Sequence, residues 1–244
     1  MADYTSPCIS QNSYKRILVR AGFDPLKDYK PLDFLNKNLV GDNLGNLLFA
    51  YGAMNVLWTE NSSIKQMYDK SHYSDEEVDY INNNFDVFVM PMADAFRTSY
   101  ITQLKSYTSL IQKLKIPVIV LGIGFRTTYE PQFCITPELD SIVKQFVSAV
   151  LEHSSKLGLR GEITATYLSK LGFKEDRDYV PIGCPSLYTY GNKPHIRGFS
   201  SFDKIKRGKL IFNTNTWAKN HFNEFIPRID RFILDVLERF LTTI

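Results

Sequence analysis

Short, β-branched apolar runs alternate with longer stretches of helical period through this 244-residue chain, and few folds accommodate that rhythm. A strand, a helix and another strand read as a β-α-β unit, in which the crossover helix covers one face of a parallel sheet. The runs predict strands over 16–20, 64–68, 86–92, 117–122, 156–160, 179–182 and 209–212, the second of them weak. Helices are expected over 41–58, from Ser74 to about 84, and over 98–114, 137–153 and 162–171. Ser74 and Glu77 have the spacing of a capping box, and Gly172 stands where a helix end wants a glycine. In the first helix Leu44, Leu47, Leu48, Tyr51 and Met54 are expected on related faces. Apolar residues from Phe222 to Leu241 recur at steps of three and four, the pattern of an amphipathic helix with Pro227 in its first turn or at a kink.

The fold class that follows is α/β, Rossmann-like, with a mainly parallel sheet and helices on both faces. A single domain over 1–244 is expected, with 1–40 an N-terminal extension and first strand, 41–215 a core carrying the motifs, and 216–244 the C-terminal helix.

Charge and cysteine content exclude several functions. The net charge is only +3, and the densest basic stretch, Lys204, Lys206, Arg207 and Lys209, falls short of the footprint of a nucleic-acid binder. Cys8, Cys134 and Cys184 are odd in number and widely spaced, which suits neither a disulfide framework nor tetrahedral zinc and points to a reducing compartment. His72, His153, His195 and His221 include no pair one helical turn apart, so no metal is expected. The start Met1 to Thr5 lacks the basic and apolar regions of a signal peptide, and no run reaches the roughly 20 apolar residues of a membrane span. A cytoplasmic protein without a membrane span is expected.

Four segments at strand ends could carry chemistry. Gly41-Asp42-Asn43-Leu44-Gly45-Asn46 opens a helix, so its free amides suit an anion or a sugar hydroxyl; Asp42 or Asn43 could equally serve only as the helix cap. Leu121-Gly122-Ile123-Gly124-Phe125-Arg126 follows the most apolar run. Its glycines allow close backbone approach, and Arg126 offers a planar cationic fork to a carboxylate or phosphate. The third glycine and the immediate helix of a dinucleotide site are missing, which excludes NAD. Arg160, before Gly161-Glu162, reads either as a ligand contact or as a structural arginine paired to a carboxylate. In Gly183-Cys184-Pro185-Ser186, Cys184 has no histidine in a partner pattern and reads as a small buried thiol, not a nucleophile.

In order, Gly41 to Asn46, Leu121 to Gly124, Arg160-Gly161-Glu162-Ile163-Thr164 with Tyr167, Leu168 and Gly172, and Gly183 to Ser186 resemble the signature of the polysaccharide pyruvyl transferase family, over about 41–215. The resemblance implies a fold like the N-terminal half of a two-domain GT-B enzyme, with the active site between the halves. It implies a transferase of cell-surface polysaccharide (exopolysaccharide) biosynthesis that moves pyruvate from phosphoenolpyruvate onto two sugar hydroxyls as a ketal. Phosphoenolpyruvate is then a donor substrate, and no cofactor is implied. On this reading the chain supplies the acceptor side, with Asp42 catalytic and Gly41, Asn43, Asn46, Gly122, Gly124, Arg126, Arg160, Gly183 and Ser186 binding substrate. The family's Arg and His for phosphoenolpyruvate would come from a C-terminal domain in cis. Any part of the terminal helix that meets that domain would otherwise be exposed and able to drive assembly into a homo-oligomer. A non-catalytic carbohydrate- or nucleotide-sugar-binding domain, or half of a GT-B glycosyltransferase, are the competing expectations.

Overall fold

The computed structural model describes residues 14–21, 30, 32, 45–126 and 136–190. All belong to the first of two units into which the chain divides, Met1–His195; the second, Ile196–Ile244, lies outside the described residues, as do the strand expected at 209–212 and the helix of 216–244. In chain order the elements are β1 (Lys15–Arg20), α1 (Gly45–Leu57), β2 (Ser62–Met67), α2 (Asp75–Asn84), β3 (Val87–Pro91), α3 (Ile101–Ile111), β4 (Val118–Leu121), α4 (Pro137–His153), β5 (Leu157–Leu159), α5 (Glu162–Lys170) and β6 (Tyr179–Pro181). Short 3-10 turns occupy Thr98–Tyr100 and Pro185–Tyr190.

Strands β2, β1, β3 and β4 form a parallel sheet in that order, and β5 pairs with β6 in parallel. A parallel bridge between Ile123 and Leu159 carries the line from β4 on to β5. This is the Rossmann-like α/β arrangement expected, and the alternation of the strands shows why it forms. Leu18, Phe88, Met90, Val118 and Val120 point into one apolar cluster with α2 to α5, while Ile17, Val19 and Val89 point into a second cluster with Phe49, Ala50 and Met54 of α1. A period-two pattern that is apolar at both phases needs helices on both faces.

The helix ends follow the local chemistry. Ser74 Oγ accepts from Glu77 N while Glu77 reaches back to Ser74 N, completing the capping box. Thr136 caps α4, with Pro137 at its start. The stretch expected as one helix over 98–114 is a 3-10 turn followed by α3, and its last residues tighten into bonds from Lys113 N to Leu110 O and from Leu114 N to Ile111 O. α3 itself ends at Ile111, and Pro117 disfavours a return to helical backbone at Ile116. The expected apolar face of α1 is corrected: Phe49, Ala50, Ala53 and Met54 are buried, whereas Leu48 is 49% exposed. The helix docks through small residues, and apolar size alone misplaces its inner face.

Candidate functional site

The chain winds outward from β1 to β2, then returns across β1 to β3 and continues to β4. In open parallel sheets such a reversal opens a crevice at the carboxyl ends of the strands. Three motifs stand at this edge. The segments after β3 and β4 run side by side, with Gly124 N donating to Ala93 O at 2.8 Å, Phe96 N to Gly124 O at 3.0 Å and Arg126 N to Phe96 O at 3.1 Å. Beyond β5, Arg160 N donates to Ile123 O at 2.8 Å, and beyond β6, Gly183 N donates to Leu159 O at 3.2 Å.

Gly122 has φ +67°, and a Cβ there would run into the Pro185 ring. Only glycine both adopts this backbone and lets the Gly183-Cys184-Pro185-Ser186 segment close on the end of β4. A similar contact brings α1 to the same segment: a Cβ on Gly52 would collide with the Pro185 carbonyl, and Asn55 Nδ2 donates to Tyr188 O at 3.3 Å and Thr189 O at 3.4 Å. Helix α1 begins directly after the first motif. Asn46 lies in its first turn and is exposed; Gly41, Asp42 and Asn43 lie outside the described residues. Ser186 is half-buried and turned onto its own segment, its hydroxyl donating to Cys184 Sγ at 3.1 Å.

Arg160 pairs with no carboxylate among the described residues, which corrects that half of the earlier alternative. Its Nε donates to Gly122 O at 3.1 Å and its Nη2 to Met92 O at 2.9 Å, so the half-buried side chain ties together the ends of β3 and β4. Carbonyl dipoles satisfy its hydrogen bonds without neutralising its charge. Next to it, Asp94 accepts from Arg97 Nη1 at 2.5 Å through one oxygen and faces Arg126 Nη1 at 3.6 Å through the other. Arg97 also donates to Ser99 Oγ at 3.1 Å, and its guanidinium carbon stands 5.0 Å from the centre of the Tyr100 ring. Thr164, in the first turn of α5, is buried and accepts from Phe125 N at 3.0 Å, which fixes the loop that carries Arg126.

A second polar cluster sits at the carboxyl end of β1. Arg20 is buried, donates to both oxygens of Asp69, at 2.9 and 2.5 Å, and to Pro91 O at 3.1 Å, Tyr107 Oη at 3.1 Å and Tyr100 Oη at 3.0 Å. Both tyrosines donate in turn to Asp69. Burial opposes the Arg20 charge, but Tyr107, Asp69 and Tyr100 more than offset it, so the guanidinium holds its proton above the ordinary arginine range. Burial also pushes the Asp69 carboxyl up, yet the Arg20 bond and charge and the tyrosine hydroxyls leave it below the usual carboxylate range. Burial raises the Tyr73 and Tyr100 hydroxyls to about 12. Arg20 is the buried centre of this cluster and Asp69 its more exposed rim, and their mutual bonds tie the ends of β1 and β3 to α3. Away from the motifs, a cavity of about 260 Å³ is lined by Ser71, His72, Tyr73, Thr102, Lys105 and Ser106, among others.

Among the described residues no group of three or more His, Cys, Asp and Glu is placed to hold a metal ion, and no helix is long and apolar enough to cross a membrane.

The sequence matches the family described as Polysaccharide pyruvyl transferase over residues 43–239. The chain belongs to that family. No curated protein and no solved structure gives a match. For a polysaccharide pyruvyl transferase family member the carboxyl edge just described gains a chemical context. The match runs past residue 215, where the resemblance was expected to end, and takes in most of the apolar periodic stretch. It starts at Asn43, so Gly41 and Asp42 lie just before it. Sequence reasoning passed over Asp94, Arg97 and the Arg20 cluster. The signal for Arg97 was its place: Met92-Ala93-Asp94-Ala95-Phe96-Arg97 follows a strand end as the other motifs do, but without a paired glycine to mark it.

Proposed function

We propose that this chain forms the acceptor wall of an enzyme that transfers the enolpyruvyl unit of phosphoenolpyruvate to two hydroxyls of a saccharide, giving a cyclic pyruvate ketal and inorganic phosphate. The observation that carries this reading is the convergence of Gly122, Gly124, Arg160 and Gly183 on one carboxyl edge in a member of this family. In this proposal the fold stands in for the N-terminal half of a GT-B enzyme, and a C-terminal domain in cis holds the donor.

The chemistry asks for a small set of groups. Protonation of C3 of the enol makes C2 oxocarbenium-like, and a sugar hydroxyl attacks C2 as a base removes its proton. Phosphate then leaves C2 with its bridging oxygen, the second hydroxyl closes the ketal, and that hydroxyl's proton balances the released phosphate. Asp42 is the proposed base. Asn43, Asn46 and the backbone around Gly41, Gly122 and Gly124 orient the sugar, Gly183 to Ser186 shape the strand-end wall, and Arg126 and Arg160 stabilise negative charge that develops during transfer. The pathway is that of cell-surface polysaccharide assembly in the cytoplasm.

Two measurements test this. The chain joined to its C-terminal domain, given phosphoenolpyruvate and saccharide acceptors, should yield phosphate and an acid-labile ketal methyl signal in equal amounts, whereas the 244-residue chain alone should release none. Release from this chain alone that requires both substrates would overturn the half-enzyme assignment. Asp42→Asn should lower turnover about 100-fold with an unchanged melting temperature, since Asn caps a helix as well as Asp does. Undiminished turnover in that variant would remove Asp42 from catalysis.

A further inference from the structure

We propose that the cavity between the loop after β2 and helix α3 is a subsite for one uncharged sugar ring, a unit of the acceptor saccharide other than the one that receives pyruvate. The inference rests on the reading of this chain as the acceptor wall.

Both walls of the cavity spring from the carboxyl edge of the sheet. The loop follows the end of β2, and α3 follows the turn beyond β3. The Arg20 cluster adjoins them, since Asp69 precedes Ser71 by two residues and Tyr100 precedes Thr102 by two. Tyr100 and Tyr107 donate to Asp69, while Gln103 Nε2 and Ser106 Oγ donate to Lys70 O at 3.0 and 2.8 Å. These bonds pin the loop to α3, so the cavity is formed in advance and a ligand has no wall to order.

The lining has two parts. Tyr73, Ser106 and Leu110 are buried and make the floor, whereas Ser71, His72, Thr102, Lys105 and Ser109 are exposed at the rim. Ser106 is committed to Lys70 O, but among the described residues the Ser71, Thr102 and Ser109 hydroxyls have no hydrogen-bond partner. Each can donate and accept at once, as a sugar hydroxyl can. Tyr73 and Leu110 give the floor apolar area for the C–H groups of a sugar ring. A wholly apolar ligand would bury the rim hydroxyls without partners, at a cost in free energy.

Charge decides against an ionic ligand. Lys105 pairs with Glu138 at 3.2 Å, Lys113 with Asp75 at 2.7 Å, and Lys70 with Glu77. Each lysine of the two walls thus has its own carboxylate, and a charged ligand would have to displace one partner or the other. Size sets the second limit. A volume of about 260 Å³ falls below the roughly 300–1,000 Å³ of sites for drug-sized molecules and suits a single ring.

Saturation-transfer NMR on the full 244-residue chain tests the site, with the methyl glycosides of glucose, galactose and mannose and with glucose 6-phosphate as probes. At least one methyl glycoside should receive saturation, with an affinity that added salt leaves unchanged. Ser109→Trp, at an exposed helical position, places an indole that leans back over the preceding turn and fills the cavity; it should weaken that glycoside about tenfold with the melting temperature held. Ser71→Trp should do the same from the opposite wall. Silence from all three methyl glycosides, or a response undiminished in both tryptophan variants, would overturn the subsite. Glucose 6-phosphate binding in their place, and weakening with salt, would overturn the choice of an uncharged ligand. In the chain joined to its C-terminal domain, Ser109→Trp should raise KM for oligosaccharide acceptors more than it lowers kcat. An unmoved KM in a variant that has lost the glycoside would remove the cavity from the acceptor's path. A chain that binds the glycoside as expected, yet makes no ketal when joined to its second domain, would sink the transfer reading and leave the sugar subsite standing.

Discussion

A guanidinium surrounded by a carboxylate, two phenols and a carbonyl, as Arg20 is, leaves each partner in debt to it. Removing one member of such a set strands the rest in a desolvated place. Arg20→Met should therefore lower stability by about 3 kcal/mol, read as a shifted urea midpoint. The pH dependence has two sides. Asp69 is depressed on folding, so its contribution is complete above the unfolded carboxylate range and is lost as the pH falls through the lower native value. Tyr73 and Tyr100 are raised to about 12, so theirs is complete below the unfolded tyrosine value of about 10 and is lost as alkali approaches 12. Absorbance at the tyrosinate band should show a late step near 12 that Tyr100→Phe diminishes; an unchanged titration curve in that variant would refute the assignment. Arg20 was legible only as the last residue of a strand, because its partners at 69, 100 and 107 are far away in sequence. Arg160 was legible as a residue of interest, but its partners were not: two backbone carbonyls stand where residue type suggested a carboxylate.

Elements were read more securely than residues. Six strands fall within two residues of where the sequence predicts them, most plainly β3 and β4, whose runs are apolar at both phases because helices cover both faces of the sheet. α1 was placed correctly but faced wrongly, because its inner face is set by Gly52 at the Pro185 carbonyl, a contact made by the absence of a side chain. That gives a prediction against propensity. Gly52→Ala adds about 1 kcal/mol of helix preference, yet should lower the melting temperature, because the new methyl must push backbone apart. A rise in melting temperature would show that α1 and the turn yield easily. Ser74→Ala, at the complete capping box of α2, should cost about 1 kcal/mol in chemical denaturation.

For the molecule as a whole, α/β class and parallel pairing were legible from the rhythm of the chain, whereas strand order was not, since apolar runs carry no record of their neighbours. β3 is paired on both sides and feeds both apolar clusters; among the described residues β2 is paired only with β1, and its residues are at best half-buried. In hydrogen exchange the amides of β1 and β3 should be among the last to exchange and those of β2 among the first of the sheet. Equal protection in β2 and β3 would contradict this layout. The backbone contact of Gly52 with Pro185 also has a consequence during synthesis. A ribosome adding about 5–20 residues each second needs on the order of ten seconds to travel from Gly52 to Pro185. For that long α1 is made before its partner exists, and its native packing must wait for the turn that follows the sixth strand.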